Sequence, residues 1–126
     1  MGQCYSVYLK VKVKDEKEFV RLSAEKLRGK FLGLDIREDC FVGHDLATPL
    51  GNIKFVLASH QHNFDVMTND DGWPVYRSDF DASYSWELVL EEWFLAVAST
   101  LEDGSEIEVY PDEGHWGYEV RGGAVV

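Results

Sequence analysis

Between Tyr5 and Val13 every second residue is apolar: Tyr5, Val7, Leu9, Val11 and Val13 alternate with Ser6, Tyr8, Lys10, Lys12 and Lys14. Only an extended chain sends alternate side chains to one side, so this stretch reads as a strand with one buried face. Such a strand needs neighbours beside it and an apolar layer beneath it, which commits the chain to a sheet-containing domain. With 126 residues, 45% of them hydrophobic, the chain can bury one core, and disorder of its bulk is excluded. No Pro- or Ser-rich linker divides it, so residues 1–126 read as a single domain.

The remaining elements follow from local signals. Asp15 is placed to cap a helix, with Glu18 three residues on, and Phe19, Leu22, Ala24 and Leu27 recur at helical spacing until Gly29. Residues 31–44 give mixed signals and read as loop, with a short strand around Leu34 to Ile36. Thr48-Pro49 opens a short helix that should end near His60, although Gly51 weighs against it. Phe64 to Asn69 and Trp73 to Phe80 form a hairpin around Asn69-Asp70-Asp71-Gly72, and Pro74 marks the start of the second strand as an edge. Ser83 is expected to cap the longest helix, Tyr84 to Leu101, with its stripe of Trp86, Val89, Leu90, Trp93, Val97 and Leu101. Ile107 and Val109, then Trp116, Tyr118 and Val120, mark two final strands, and Gly122-Gly123 allows a last turn. This order predicts an α+β fold, an antiparallel sheet of about four to five strands with two or three helices on one face. Glu106 and Glu108 should share a solvated face with Lys10, Lys12 and Lys14, which places residues 4–14 beside residues 105–110.

Charge narrows the function classes. There are 23 Asp and Glu against 12 Lys and Arg, a net of −11, and the imbalance is uneven. Residues 1–40 carry nine bases and seven acids, +2; residues 41–126 carry only Lys54, Arg77 and Arg121 against sixteen acids, −13. This polarity argues against direct nucleic-acid binding, which needs clustered cations on phosphates, and against anionic membrane surfaces. The N-terminus lacks the basic and apolar regions of a signal peptide, and Cys4 and Cys40 are too few for a disulfide scaffold, so a reducing cytoplasm is expected.

Few residues suggest chemistry. His44, His60 and His62, with Asp45 and Asp65 nearby, are the candidates for a metal site, but their spacing matches no zinc signature. Cys40 lies four residues from His44 without an orienting frame, and a lone cysteine is more often a small buried apolar group. Aligning Gly72 with the glycine of a calcium loop puts Met67 and Ser78 where hard ligands are required, so Asn69 to Gly72 is a turn. Catalytic residues and cofactors are therefore not expected.

What remains is surface. Asp65, Asp70, Asp71, Asp79 and Asp81 surround Trp73 and Tyr76, a pairing of acids with aromatic anchors. On the long helix Leu88 and Leu95 lie one heptad apart, flanked by Glu87, Glu91 and Glu92, an apolar strip with an acidic rim. In both places an ordinary alternative exists: some of these aromatics must be core, a second element can cover the leucines, and acids often only solvate a surface. The expectation is a non-enzymatic module binding a basic protein. In charge and size the chain resembles small acidic inhibitors such as toxin-neutralising immunity proteins and nucleic-acid mimics; no motif carries that resemblance. The alternatives are a small metal-dependent enzyme or metal-binding domain using His44, His60 and His62, and a homo-oligomeric structural module, such as a homodimer, joined through Leu88 and Leu95.

Overall fold

The computed structural model describes residues 2–28, 45–61 and 63–126. Among these, three α-helices and six strands form an α+β domain: β1 Gly2–Lys10, α1 Glu16–Leu27, α2 Pro49–Val56, β2 Phe64–Thr68, β3 Pro74–Ser83, α3 Trp86–Val97, β4 Glu106–Tyr110, β5 Trp116–Arg121 and β6 Ala124–Val125. The sheet is antiparallel throughout, in the order β2-β3-β1-β4-β5-β6. The strand count is thus six, above the four to five expected, because the chain after Gly122-Gly123 folds back onto β5.

The alternation of β1 is realised: Tyr5, Val7, Leu9 and Val11 are buried, while Ser6, Tyr8 and Lys10 turn to the other face. As the charge pattern requires, β1 lies beside β4, with Lys10 opposite Glu106 and their side chains 3.7 Å apart. Lys12 and Lys14 fall beyond that ladder, and the ammonium groups of Lys10 and Lys12 lie 5.8 and 6.0 Å from the centre of the Trp73 ring. All three helices contribute to one core with the inner face of the sheet: Phe19 and Leu27 from α1, Ile53 and Val56 from α2, and Val89, Leu90, Trp93 and Phe94 from α3.

Asp15 caps α1 by accepting from the Glu18 N–H at 3.1 Å, and Thr48 caps α2 by accepting from the Gly51 N–H at 3.1 Å. Three boundaries differ from expectation. The second helix stops at Val56, and Ala58 adopts φ +50° before a 3₁₀ turn over Ser59–Gln61. The third helix starts at Trp86 because Ser83 is drawn into the β ladder opposite Gly2, so Ser85 takes the cap position without a side-chain bond. It ends at Val97 in a 3₁₀ turn, and Leu101 bridges to Val13. Pro74 does begin a strand, but β3 is interior, between β2 and β1; the proline lies beyond the last β1 pair, Lys10 with Val75. The short strand expected around Leu34 to Ile36 lies outside the described residues. No helix among the described residues is long and apolar enough to cross a membrane.

Candidate functional site

Among the described residues, the helices lie on one face of the sheet and no element covers the other, where pairing determines which residues are displayed. Directly paired residues point to the same side, so the face can be assembled row by row. One row holds Asp65, Arg77, Tyr8, Glu108 and Gly117 from β2 to β5; the next holds Met67, Val75, Lys10, Glu106 and Glu119. In the other direction lie Asp79, Ser6 and Tyr110, then Asp81 and Cys4. None of these residues is buried.

Aromatic groups occupy the middle. Tyr8 and Tyr110 meet edge to face at 6.2 Å, His115 stacks on Tyr110 at 4.4 Å, and the Arg77 guanidinium lies 5.5 Å from the Tyr8 ring centre. Gly117 leaves a notch of about 290 Å³ beside them, walled by Glu106, Glu108, His115 and Glu119. Glycine is required there, because an added Cβ would stand 2.5 Å from the Ile107 carbonyl oxygen.

Three of the carboxylates on this face accept hydrogen bonds from neutral donors. Asp79 accepts from the Ser6 hydroxyl at 2.6 Å, Asp81 from the Cys4 thiol at 2.8 Å, and Glu108 from the Tyr110 hydroxyl at 3.2 Å. All three donors are neutral, so the bonds orient the acids without cancelling them. Lys10 and Arg77 are the only cations in the rows, against Asp65, Asp79, Asp81, Glu106, Glu108 and Glu119. Arg121 pairs with Glu119 at the margin.

The expected binding residues divide between two sides of the molecule. Asp65, Asp79 and Asp81 stand on the open face, and Asp70 and Asp71 at the hairpin tip, where Asn69 Oδ1 accepts from the Asp71 and Trp73 N–H groups. Trp73 is half-buried, with Lys10 and Lys12 over its ring. Tyr76 turns to the core side, stacks on Phe64 at 6.2 Å, and has its phenol pKa raised by burial. Leu88, Glu91, Glu92 and Leu95 belong to α3, across the sheet. There Glu87 accepts from Trp116 Nε1 at 2.6 Å, Glu91 from the Tyr118 hydroxyl at 2.8 Å, and Glu92 pairs with Lys26 at 3.0 Å. These three acids tie α3 to β5 and α1. Leu88 packs against the core, and Leu95 is 43% exposed.

His44, His62 and Cys40 lie outside the described residues, and His60 sits in the 3₁₀ turn after α2. Among the described residues, no group of three or more His, Cys, Asp or Glu could hold a metal ion. Cys4 is solvent-exposed but a poor nucleophile: its bond to Asp81 and that group's negative charge push the thiol pKa up. Alkylation of the Cys4 peptide near pH 8, followed by mass spectrometry, should therefore be slower than for a free thiol. Asp81→Asn should accelerate it, because the charge opposing the thiolate is removed. Equal rates in the two proteins would contradict this coupling.

Tyr8, Arg77, Glu108 and Tyr110 are not among the binding residues expected from the sequence. Alternation marks each as outward-facing, but only the register brings them together. Comparison with protein-family models, curated proteins and solved structures returns no match for this chain.

Proposed function

We propose that the chain is a non-enzymatic protein-binding module whose open sheet face receives a basic protein surface, in the manner of small acidic inhibitors that neutralise nucleic-acid-handling proteins. The observation that carries this reading is the Tyr8–Tyr110–His115 cluster set among six acids, against Lys10, Arg77 and, at the margin, Arg121. Tyrosine is enriched among binding hot spots because it brings large contact area with few torsions to immobilise, and a partner's arginine can both stack on it and reach a carboxylate. The surrounding charge would steer a cationic partner to the face and repel an anionic one. The α3 edge fits the role less well, since Glu87, Glu91 and Glu92 already serve internal contacts.

An octa-arginine peptide is a sufficient probe. Titrated into isotopically labelled protein, it should perturb amide resonances of Ser6, Tyr8, Glu108 and Tyr110 more than those of α3. Apparent affinity should fall steeply between roughly 0.1 M and 1 M salt, as the screening length drops from about 10 to 3 Å. Glu108→Gln and Asp79→Asn should each weaken binding severalfold, and Glu92→Gln should leave it unchanged. Salt-independent affinity, or perturbations centred on α3, would overturn the proposal.

A further inference from the structure

We infer that two copies of this chain associate edge to edge through β2, in an antiparallel register centred on Val66. Among the described residues, β2 pairs with β3 alone and is the outermost strand. The Asn69 N–H donates to the Trp73 carbonyl, and the Asp79 N–H donates to the Asn63 carbonyl. Backbone groups alternate in direction along an antiparallel ladder, so Asn63, Asp65, Met67 and Asn69 bond inward, and Phe64, Val66 and Thr68 present their N–H and C=O groups outward. Pro74 agrees with this parity, standing opposite Thr68, where no N–H is required.

Free strand edges are templates for another strand, and chains commonly blunt them with lysine, proline or a bulge. Phe64–Thr68 contains neither lysine nor proline, and Asp65 is its one charge. It also exposes one apolar side chain on each face: Val66 and Met67 point to opposite sides and are 52% and 53% exposed. The same edge is closed just beyond β2, where the Gln61 side-chain amide satisfies both the N–H and the C=O of Asp81, each at 2.9 Å. Among the described residues, the open stretch is therefore β2 itself.

A second copy is the occupant that this edge matches. Across a two-fold axis the strand meets itself antiparallel, so Val66 faces Val66, Phe64 faces Thr68 and Asp65 faces Met67. Every outward-bonding residue then finds another, and no carboxylate opposes a carboxylate. A register centred one residue earlier sets Asp65 against Asp65, and one residue later sets Phe64 against Asp70. Paired residues share a face, so the two sheets become continuous with their helices on the same side.

The contact is small, which implies a weak dimer, and the −11 charge of each copy opposes it. Salt should thus strengthen self-association, the opposite of its effect on a basic partner. Sedimentation equilibrium of the full chain up to about 0.5 mM, at both low and high salt, should show a monomer–dimer equilibrium shifted towards dimer by salt. Val66→Pro removes the outward N–H and no bond to β3, and should weaken the dimer by roughly 30-fold or more with little change in melting temperature. Val66→Lys places two ammonium groups together at a half-exposed position and should do the same even if the proline variant proves less stable. Leu95→Lys should have no effect. A wild-type monomer at both salt levels, dimerisation by both Val66 variants as by wild type, or its loss in Leu95→Lys would each overturn the inference.

Discussion

Asn52→Ala is expected to lower stability by about 3 kcal/mol and the melting temperature by roughly 10–15 °C. Asn52 is buried in α2, and its side chain closes a polar network joining all three helices. Trp93 Nε1 donates to Ser23 Oγ at 2.7 Å, and Ser23 Oγ donates to Asn52 Oδ1 at 2.7 Å. The Asn52 amide then donates to the carbonyls of Leu46 and Thr48 at 3.1 and 2.7 Å. No buried side-chain polar atom among the described residues lacks a partner, so this chain of bonds is complete. Alanine removes the acceptor of the Ser23 hydroxyl at a fully buried position, at a cost of about 1–3 kcal/mol, and the lost amide volume adds a cavity cost. Ser23→Ala instead leaves the Trp93 N–H unsatisfied. Because both changes damage one network, the double variant should lose less than the sum of the singles. Thermal and denaturant unfolding measure this directly; a loss under about 1 kcal/mol for Asn52→Ala would mean the network contributes little.

That network also shows where sequence reading ran out. Periodicity located Phe19, Leu27, Val89, Leu90 and Trp93 in the core because apolar spacing is a local property. Ser23 and Asn52 are polar and gave no such signal. Their burial depends on partners 29 and 70 residues away along the chain. The same limit applies to the open face. The opposed charges on residues 10–14 and 106–108 were enough to bring β1 beside β4, but the rows across β2 to β5 depend on registers that no local pattern encodes. From the sequence, both the acids from Asp65 to Asp81 around Trp73 and Tyr76 and the α3 strip of Leu88 and Leu95 with its glutamates were expected to meet a basic partner. Strand alternation and the passage into α3 instead place Asp65, Asp79 and Asp81 on one side, and Tyr76, Leu88, Glu91, Glu92 and Leu95 on the other.

Gly51→Ala separates the local and tertiary arguments by sign. In an exposed helix this exchange favours folding by about 1 kcal/mol, since alanine loses less backbone freedom on ordering. Gly51 here lies in the first turn of α2, directly over the backbone of the preceding turn. An added Cβ would stand 1.6 Å from the Asp45 carbonyl oxygen and 2.5 Å from its carbon, so main chain must move. That main chain is held in place: Asp45 Oδ1 accepts from the Ala47 N–H at 3.0 Å, and the Asp45 carbonyl accepts from the Thr48 hydroxyl at 3.3 Å. The Thr48 hydroxyl is also the cap, accepting from the Gly51 N–H. Displacing Asp45 therefore loosens the cap, worth about 1 kcal/mol, and overpacks a fixed backbone, which costs about 1–3 kcal/mol more. These terms exceed the propensity gain, and the net expectation is a destabilisation of about 1–3 kcal/mol, visible as a lower denaturation midpoint with an unchanged slope. A stabilised Gly51→Ala variant would show that the turn before α2 yields freely and that helix propensity alone governs this position. A destabilised one accounts for the glycine that counted against this helix in the sequence: it is the residue that lets the chain pass close enough to Asp45 for Thr48 to cap α2.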